Sequence, residues 1–319
     1  MEVIVFGAGA VGLGLASALL EAGARVRIVA HGATAAALRA HGLLRTGLFG
    51  CAAVPPGSFA VAESTDALPG GAADFVLVAT KAFDTEAAAL ALAAAPRAVG
   101  GRTLFVLSQN GWGNAERFAA HFPAARVFCA RVITGFRRPA PHHVEITVHA
   151  EPVHVGSLFG ADAAQVAPLC AAIAKGGLPC EPSNRIAEDL WAKLLYNATL
   201  NPLGAILGAS YGVLGASPHT RPVMEALARE TFAVMRAAGF RTHWPSAEAW
   251  LADFTARLLP PTAAHESSML QDLRGGRRTE IDAITGAVVD LATRHGVDVP
   301  VSRSVLALVR FLEARERRA

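Results

Sequence analysis

A lysine and two asparagines recur at intervals of four residues near the middle of the chain. Lys193, Asn197 and Asn201 lie within residues 191–203, where most other residues are apolar. Residues four apart share one face of a helix, so these side chains would form one polar ridge. An ammonium group and two amides in apolar surroundings need partners, because a buried polar group without one is costly. The spacing indicates a ligand-binding or proton-donating face, and a polar face in solvent is the alternative.

A second polar cluster lies in the last third of the chain. Residues 267–272 (SSMLQD) lead to residues 277–282 (RRTEID). Thr279 is a suitable helix N-cap, which would place Glu280 in the positively charged first turn. Capping is therefore the structural alternative for both Ser268 and Glu280. The cluster becomes catalytic only if it folds back onto Lys193.

A glycine motif of the form G-x-G-x-x-G stands near the N-terminus. It consists of Gly7, Ala8, Gly9, Ala10, Val11 and Gly12. In such motifs the first glycine allows a tight turn, the second lets a pyrophosphate approach, and the third lets helix and strand pack closely. The following helix would offer unpaired N–H groups to the phosphates. The motif predicts dinucleotide binding, with a glycine-rich packing turn as the alternative.

The residues after the second predicted strand bear on the choice of cofactor. They read Ala30-His31-Gly32, without the carboxylate that would bind the ribose 2′-hydroxyl of NAD. Three arginines, Arg27, Arg39 and Arg45, are not far away in sequence. A 2′-phosphate requires cationic or donor groups, so the pattern favours NADP. The alternative is that the arginines are ordinary surface charges, and this is the interpretation preferred for Arg45.

Polar residues follow two other predicted strands. Thr80-Lys81 ends the strand FVLVA, and Gln109-Asn110-Gly111 ends the strand TLFVL. Ligands bind outside the carboxyl ends of strands in open α/β sheets, so both ends are candidate cofactor contacts. The alternatives are a solvated lysine at Lys81 and a simple turn at Asn110.

The elements that must position these residues change in type along the chain. Apolar strands predicted at 3–6, 25–29, 75–79 and 103–107 alternate with helices, which implies a parallel sheet covered on both faces. Segments 144–148 and 153–155 are predicted to form an antiparallel hairpin added to that sheet.

Only helices are predicted from Asn184 onward. Their expected ranges are 184–207, 217–239, 246–258, 263–273, 279–295 and 301–316. Charged residues 315–318 are predicted to be a solvated helix end. The fold class is therefore α/β, a doubly wound sheet at residues 1–183 followed by an all-helical domain at 184–319.

Composition excludes several classes of protein. The 319 residues are 52% hydrophobic and 17% charged, with a formal net charge of +3, which excludes a wholly disordered chain. That charge also argues against nucleic acid as a partner, although the pI of 8.9 suits a small anionic ligand. The uncharged stretch 3–20 contains four glycines and lacks a preceding basic residue, so neither a membrane span nor a signal peptide is expected. Four well-spaced cysteines indicate reduced thiols in a cytoplasmic protein, and no metal site is expected.

The whole chain resembles the ketopantoate reductase (2-dehydropantoate 2-reductase) family. The matching motifs are GAGAVG at 7–12, TKAFDT at 80–85, QNGWGN at 109–114, KLLYNATLNPLGAI at 193–206 and SSMLQDLRGGRRTEID at 267–282. The resemblance implies a Rossmann-type domain and a helical domain with NADP(H) and a 2-oxo-acid substrate between them. It further implies reduction of ketopantoate to (R)-pantoate, a step towards pantothenate and coenzyme A.

The resemblance also implies roles for individual residues. Lys193 would be the general acid and Glu280 its carboxylate partner. Asn197 and Asn201 would hold the lysine and substrate, and Ser268 the substrate carboxylate. Asn110 would contact the nicotinamide ribose, and Lys81 the cofactor. A small-molecule substrate and NADP(H) are thus the expected partners, and a homodimer through the helical domain is compatible with the sequence.

The chain departs from the family pattern at three positions. His31 stands where the family often has an arginine for the 2′-phosphate, and Tyr211 and His265 replace two asparagines that contact substrate. The last two changes keep open a paralogous reductase of another 2-oxo acid, or of an imine as in opine-type dehydrogenases. A non-catalytic cofactor-sensing protein is the alternative from another class, but such a protein needs neither Lys193 nor Glu280.

Overall fold

The described residues fall into two structural units. A computed structural model describes residues 1–316, so the final residues of the predicted helical domain and of its charged end lie outside the described part. The first unit comprises Met1–Gln109 and Asn114–Ile186. The second comprises Asn110–Gly113 and the described residues from Ala187 onward. Nothing in the sequence pattern marked Asn110–Gly113 as part of the helical unit.

An eight-stranded sheet forms the centre of the first unit. The strands of the chain are β1 (Glu2–Phe6), β2 (Arg25–Val29), β3 (Leu43–Gly47), β4 (Ala52–Val54), β5 (Ala60–Ala62), β6 (Phe75–Val78), β7 (Leu104–Leu107), β8 (Val127–Arg131), β9 (Thr134–Ala140), β10 (His143–His149), β11 (Val153–Gly156) and β12 (Cys180–Pro182). The large sheet has the order β12-β11-β8-β7-β6-β1-β2-β5, and only the β8–β11 pair is antiparallel. Its central strands are almost wholly apolar and buried, as expected of a sheet covered on both faces.

Five α-helices accompany the strands of the first unit. They are α1 (Ala10–Glu21), α2 (Gly32–His41), α3 (Thr85–Ala93), α4 (Asn114–Ala119) and α5 (Ala167–Lys175). Helix α1 is nearly all apolar, and residues 12–19 are buried in the same core as β1 and β2. The glycine motif therefore joins two elements that the core holds rigidly.

The predicted hairpin at 144–148 and 153–155 is wrong. Strand β10, which contains the first segment, pairs with β9 and β3 in a separate four-stranded sheet of order β4-β3-β10-β9. Strand β11, which contains the second segment, pairs with β8 and β12 in the large sheet. Strand β9 reads TGFRRPA and has mostly half-buried or exposed positions, so it lacks the apolar alternation that identifies a strand. Because the sequence does not identify β9 as a strand, it predicts that the two apolar segments pair with each other.

The described residues of the second unit form helices joined by turns and contain no strand, which confirms the predicted fold class. Its α-helices are α6 (Ile186–Leu207), α7 (Tyr211–Ala216), α8 (Arg221–Ala237), α9 (Ala247–Asp253), α10 (Ser268–Arg274), α11 (Ala287–His295) and α12 (Pro300–Glu316). Among residues 1–316, no helix combines the length and apolar character needed to cross a membrane.

Three predicted helix starts are wrong. The helix expected from Ser217 begins at Arg221, because Ser217 instead follows the last residue of α7. The helix expected from residue 263 begins at Ser268, where the Ser267 side chain caps it. The helix expected from Thr279 begins with a π-helical turn at Asp282–Gly286 and becomes α-helical only at Ala287.

The first turn of α6, the helix that carries Lys193, is fixed by charged groups. The Glu188 and Asp189 carboxylates are buried there. Their negative charges interact favourably with the positive end of the helix dipole. Arg241 Nε donates to Glu188 at 3.0 Å, and the His243 ring lies 2.9 Å from Asp189 Oδ1. Buried carboxylates with such partners hold the helix in one position.

Candidate functional site

The glycine motif forms a tight loop between β1 and α1. Gly7 has φ +108°, a conformation that L side chains rarely adopt. A Cβ at Gly12 would lie 2.0 Å from the Gly7 carbonyl oxygen, so helix and loop touch there. Gly9 is the N-cap of α1, and no side chain caps this helix. The N-terminal turn of α1 thus has the arrangement that binds phosphate in dinucleotide folds.

A cavity of about 180 Å³ opens beside this loop within the first unit. It is lined by residues 6–9, by residues 29–31 after β2, and by Thr34, Thr80 and Arg138. The predicted cofactor residues Gly7, Ala8, Gly9 and His31 therefore lie around one cavity. An uncapped helix N-terminus beside such a cavity fits a dinucleotide phosphate.

None of the three arginines considered from sequence lines this cavity. Arg27 is buried, and its Nη1 donates to the carbonyl oxygens of Pro69 and Gly71 at 2.8 Å each. Arg39 is exposed and forms an ion pair with Glu63 at 3.0 Å.

The interpretation of Arg45 as a surface charge is wrong. Arg45 is buried, and its Nη1 donates to the Gly176 carbonyl oxygen at 2.7 Å. Strand β3 carries Arg45 under a loop that is distant in sequence, and sequence spacing does not reveal this burial.

Two charged residues near the end of β2 were missed by sequence reasoning. Arg138 reaches the cavity from β9. Glu63 follows β5, which pairs with β2, and its carboxylate accepts a hydrogen bond from the Gly32 backbone N–H. A hydrogen bond from Arg39, followed by the one from Gly32, lowers the Glu63 pKa. Neighbouring strands of the sheet thus place side chains beside His31 that no local motif could indicate.

The two polar strand ends singled out from sequence lie side by side in the first unit. Gln109 Nε2 lies 3.1 Å from Thr80 Oγ1, 3.2 Å from the Lys81 carbonyl oxygen and 2.9 Å from Thr85 Oγ1. Gln109 is buried, so these bonds fix the chain on which Lys81 stands. Lys81 itself is half-buried.

In the second unit, the polar ridge of α6 becomes more buried along its length. Lys193 and Asn197 are half-buried, whereas Asn201 is 3% exposed. Tyr211 OH donates to Asn201 Oδ1 at 2.7 Å. Burial raises the pKa of Tyr211, so its hydroxyl stays a donor. The bond directs the Asn201 NH₂ group away from Tyr211.

Tyr211 and His265, the two departures from the family pattern, are neighbours. Their ring centroids are 5.2 Å apart, and the Tyr211 backbone N–H donates to the His265 carbonyl oxygen at 3.0 Å. Because Tyr211 also binds Asn201, these two replacements adjoin one end of the ridge.

Ser267 and Ser268 have different environments. Ser267 is fully buried, its hydroxyl accepts from Leu270 N at 3.1 Å, and it donates to the Asn201 carbonyl oxygen at 3.3 Å. Ser268 is exposed at the first position of α10. The capping role considered for Ser268 therefore belongs to Ser267, which also fastens α10 to α6.

Glu280 is buried and binds a residue far away in sequence. Asn110 Nδ2 donates to Glu280 Oε2 at 3.0 Å. Thr279 Oγ1 accepts from Ile281 N at 3.2 Å, so Thr279 caps the turn while the Glu280 carboxylate remains bound to Asn110. Gly111 allows this contact, because its φ is +86° and a Cβ there would lie 2.1 Å from the Ala283 carbonyl oxygen. Two residues that the sequence singled out separately thus meet in the second unit.

The half-buried His265 ring is expected to make stability dependent on pH. Burial lowers its pKa despite the neighbouring Glu266 carboxylate, so the unfolded chain binds a proton more readily than the folded chain. The neutral His265 ring therefore contributes to the free energy of unfolding. This contribution is fully present above the pKa of the histidine in the unfolded chain, and it is lost as pH falls through the pKa in the folded chain. We expect His265→Gln to reduce the fall in unfolding free energy between about pH 7 and about pH 5, measured by urea denaturation. His219→Gln, at an exposed histidine, is the control, and an unchanged pH slope in His265→Gln would contradict the prediction.

The first unit has a Rossmann-type sheet with a glycine loop, and the second unit is helical. This combination defines a nucleotide-dependent oxidoreductase that acts on CH–OH groups. Residues 3–159 match the family described as "Ketopantoate reductase PanE/ApbA", and residues 185–313 match its C-terminal counterpart. The chain belongs to the ketopantoate reductase family, which confirms the resemblance seen in its motifs.

Two relatives that match over nearly their whole length support this membership. The chain is 32% identical to the 2-dehydropantoate 2-reductase of Aquifex aeolicus, covering 98% of this chain and 97% of that protein. A ketopantoate reductase structure from Ralstonia eutropha superposes with a TM-score of 0.85 at 31% identity, covering 99% of this chain and 100% of the other. A D-mandelate dehydrogenase bound to NADH and anilino(oxo)acetate has a TM-score of 0.87 at 21% identity, covering 99% of both chains, and shares the fold.

Proposed function

We propose that the protein catalyses the NADPH-dependent reduction of 2-dehydropantoate to (R)-pantoate, a step towards pantothenate and coenzyme A. The observation that carries this proposal is the ridge of Lys193, Asn197 and Asn201 on α6, in a chain that matches the family along both units. The same unit contains the buried Glu280 carboxylate with its Asn110 partner. A cytoplasmic homodimer remains part of the proposal.

The first unit contributes the groups that would hold the cofactor. The loop at 7–12 would face the pyrophosphate, His31 the adenosine ribose, and Lys81 the remaining cofactor. The resemblance to the family adds Asn110 as a contact of the nicotinamide ribose. The uncapped N-terminus of α1 beside the cavity fits this assignment. NADPH supplies a hydride when bound.

Lys193 is the proposed proton donor. Reduction of a ketone leaves negative charge on its oxygen, and an ammonium group can stabilise that charge and then supply the proton. The negative charge of the Glu280 carboxylate would favour the charged ammonium form of Lys193. Its bond from Asn110 fixes the carboxylate in one orientation.

The remaining polar groups would orient the substrate. The side-chain oxygen of Asn201, Oδ1, accepts the hydrogen bond from Tyr211. The NH₂ group of the same side chain is therefore the part that would donate to substrate. Asn197, one turn earlier, would hold the lysine, and the exposed Ser268 hydroxyl would bind the substrate carboxylate.

A second candidate function keeps the fold and changes the substrate. Tyr211 and His265 occupy neighbouring positions beside Asn201, where the family pattern has two asparagines. Aromatic rings there would favour another 2-oxo acid, or an imine derived from one. A cofactor-sensing protein without turnover is disfavoured, because sensing requires neither Lys193 nor the buried Glu280.

The test is oxidation of NADPH, followed by nicotinamide absorbance, with ketopantoate and a panel of other 2-oxo acids. Each acid is assayed with and without ammonia or an amino acid, and the panel is repeated with NADH. We expect the highest kcat/KM for ketopantoate with NADPH. Turnover of another acid, or only in the presence of an amine, would favour the second candidate. NADPH binding without turnover of any acid would favour the sensing protein.

A further inference from the structure

Strand β9 places an arginine on the wall of the cavity beside the glycine loop. Arg138 Nη1 donates to the Ala8 carbonyl oxygen at 3.2 Å, and Nη2 donates to Thr34 Oγ1 at 3.0 Å. Ala8 belongs to the glycine motif, and Thr34 lies in the first turn of α2. The guanidinium therefore spans the gap between the loop and the N-terminus of α2.

This gap is where the adenosine ribose binds in dinucleotide folds. The group that binds the ribose 2′ position stands just after the second strand, and His31 occupies that place here. His31 and Arg138 line the same cavity. A guanidinium presents a planar set of N–H donors that matches phosphate oxygens. We infer that Arg138 binds the 2′-phosphate of NADPH and gives the protein its preference for NADPH over NADH.

The other charges around His31 are compatible with this role. The Glu63 carboxylate would by itself oppose a 2′-phosphate, because like charges repel and a carboxylate favours the 2′-hydroxyl of NADH. Arg39 lies 3.0 Å from that carboxylate and offsets its charge. Arg27 and Arg45 are committed to backbone carbonyl oxygens elsewhere in the first unit. Among the described residues, Arg138 is the arginine that lines the cavity.

Two other roles for Arg138 make different predictions. Its bond to Ala8 would also suit a contact with the pyrophosphate, and a guanidinium can stack on adenine. Pyrophosphate and adenine are common to NADPH and NADH, so either role would affect both cofactors equally. A 2′-phosphate contact affects only the phosphorylated form.

The experiment measures binding of four ligands to Arg138→Gln and to the unaltered protein. The ligands are NADPH, NADH, adenosine 2′,5′-bisphosphate and ADP, titrated by calorimetry without substrate. We expect Kd to rise by about 10- to 100-fold for NADPH and the bisphosphate, as for loss of a charge-assisted hydrogen bond. Kd for NADH and ADP should change by less than about twofold. Arg137→Gln is the control, because exposed Arg137 pairs with Glu145 on β10.

Each outcome has a defined meaning. Equal weakening of NADPH and NADH, no weakening of either, or equal affinity for both in the unaltered protein would overturn the inference. Thermal denaturation of Arg138→Gln verifies that the first unit remains folded. The inference rests on the proposed use of NADPH, but binding is measured without turnover. A protein that fails to reduce ketopantoate yet loses 2′-phosphate selectivity in Arg138→Gln would therefore refute the proposed substrate and keep the inference.

Discussion

Lys193→Ala is expected to lower kcat for ketone reduction by about 10³-fold, within the range that a positioned general acid contributes. The Kd for NADPH should change by less than about twofold, because Lys193 does not line the cavity beside the glycine loop. The measurement pairs steady-state kinetics with a calorimetric titration of NADPH. This variant has the most direct bearing on the proposed mechanism.

The structure provides reasons why Lys193→Ala should still fold. Lys193 is half-buried in the middle of α6, and alanine has the highest intrinsic helix propensity. The start of α6 is held by the Glu188 and Asp189 carboxylates, which the substitution does not touch. A small loss of stability is therefore expected beside a large loss of turnover.

The control for this variant is Lys175→Ala. Lys175 is exposed at the end of α5, where its Nζ lies 3.5 Å from the Ala22 carbonyl oxygen. Lys175→Ala should retain full activity.

Added ethylammonium should restore part of the activity of Lys193→Ala if the missing group is the proton donor. Loss of NADPH affinity in parallel with turnover, together with a large fall in Tm, would show that Lys193 is structural.

The parts of this fold that the sequence predicted are those encoded by consecutive residues. The glycine motif, the apolar central strands and the ridge of α6 each lie within one short stretch, and local spacing determines their geometry. Fold class and the grouping of Gly7, Gly9 and His31 follow from such stretches. The roles of Lys193, Glu280 and Ser268 remain predictions.

The parts that the sequence did not predict depend on contacts between distant segments. Strand β9 contains two arginines and a proline, so its pairing depends on β10 and not on its own pattern. Arg138 therefore reaches the glycine loop from 130 residues away in sequence. Likewise, Asn110 meets Glu280 because Gly111 permits close approach to Ala283, a contact that no periodicity encodes.

Gly9→Ala is expected to abolish most cofactor binding while leaving the fold intact. Apart from its chain neighbours, the nearest atom that a Cβ at Gly9 would meet among residues 1–316 is the Ala79 carbonyl oxygen at 3.7 Å, and φ −72° is accessible to alanine. The same methyl group would stand where the second glycine of the motif admits the pyrophosphate. We expect Kd for NADPH and for NADH to rise by on the order of 100-fold, with a Tm within about 2 °C of the unaltered protein.

Gly12→Ala is the matched variant, because it adds the same methyl group about one helical turn later. In this variant we expect a loss of stability, whereas Gly9→Ala should lose cofactor binding and keep its stability. A Cβ at Gly12 would lie 2.0 Å from the Gly7 carbonyl oxygen and 3.1 Å from Ala79 Cβ, so backbone atoms must move. Overpacking of this kind costs about 1–3 kcal/mol or more, and both Tm and cofactor affinity should fall. Calorimetric titration and thermal denaturation of both variants separate the two roles. Undiminished NADPH affinity in Gly9→Ala would mean that no pyrophosphate approaches the loop, and the assignment of this motif to the cofactor would fail.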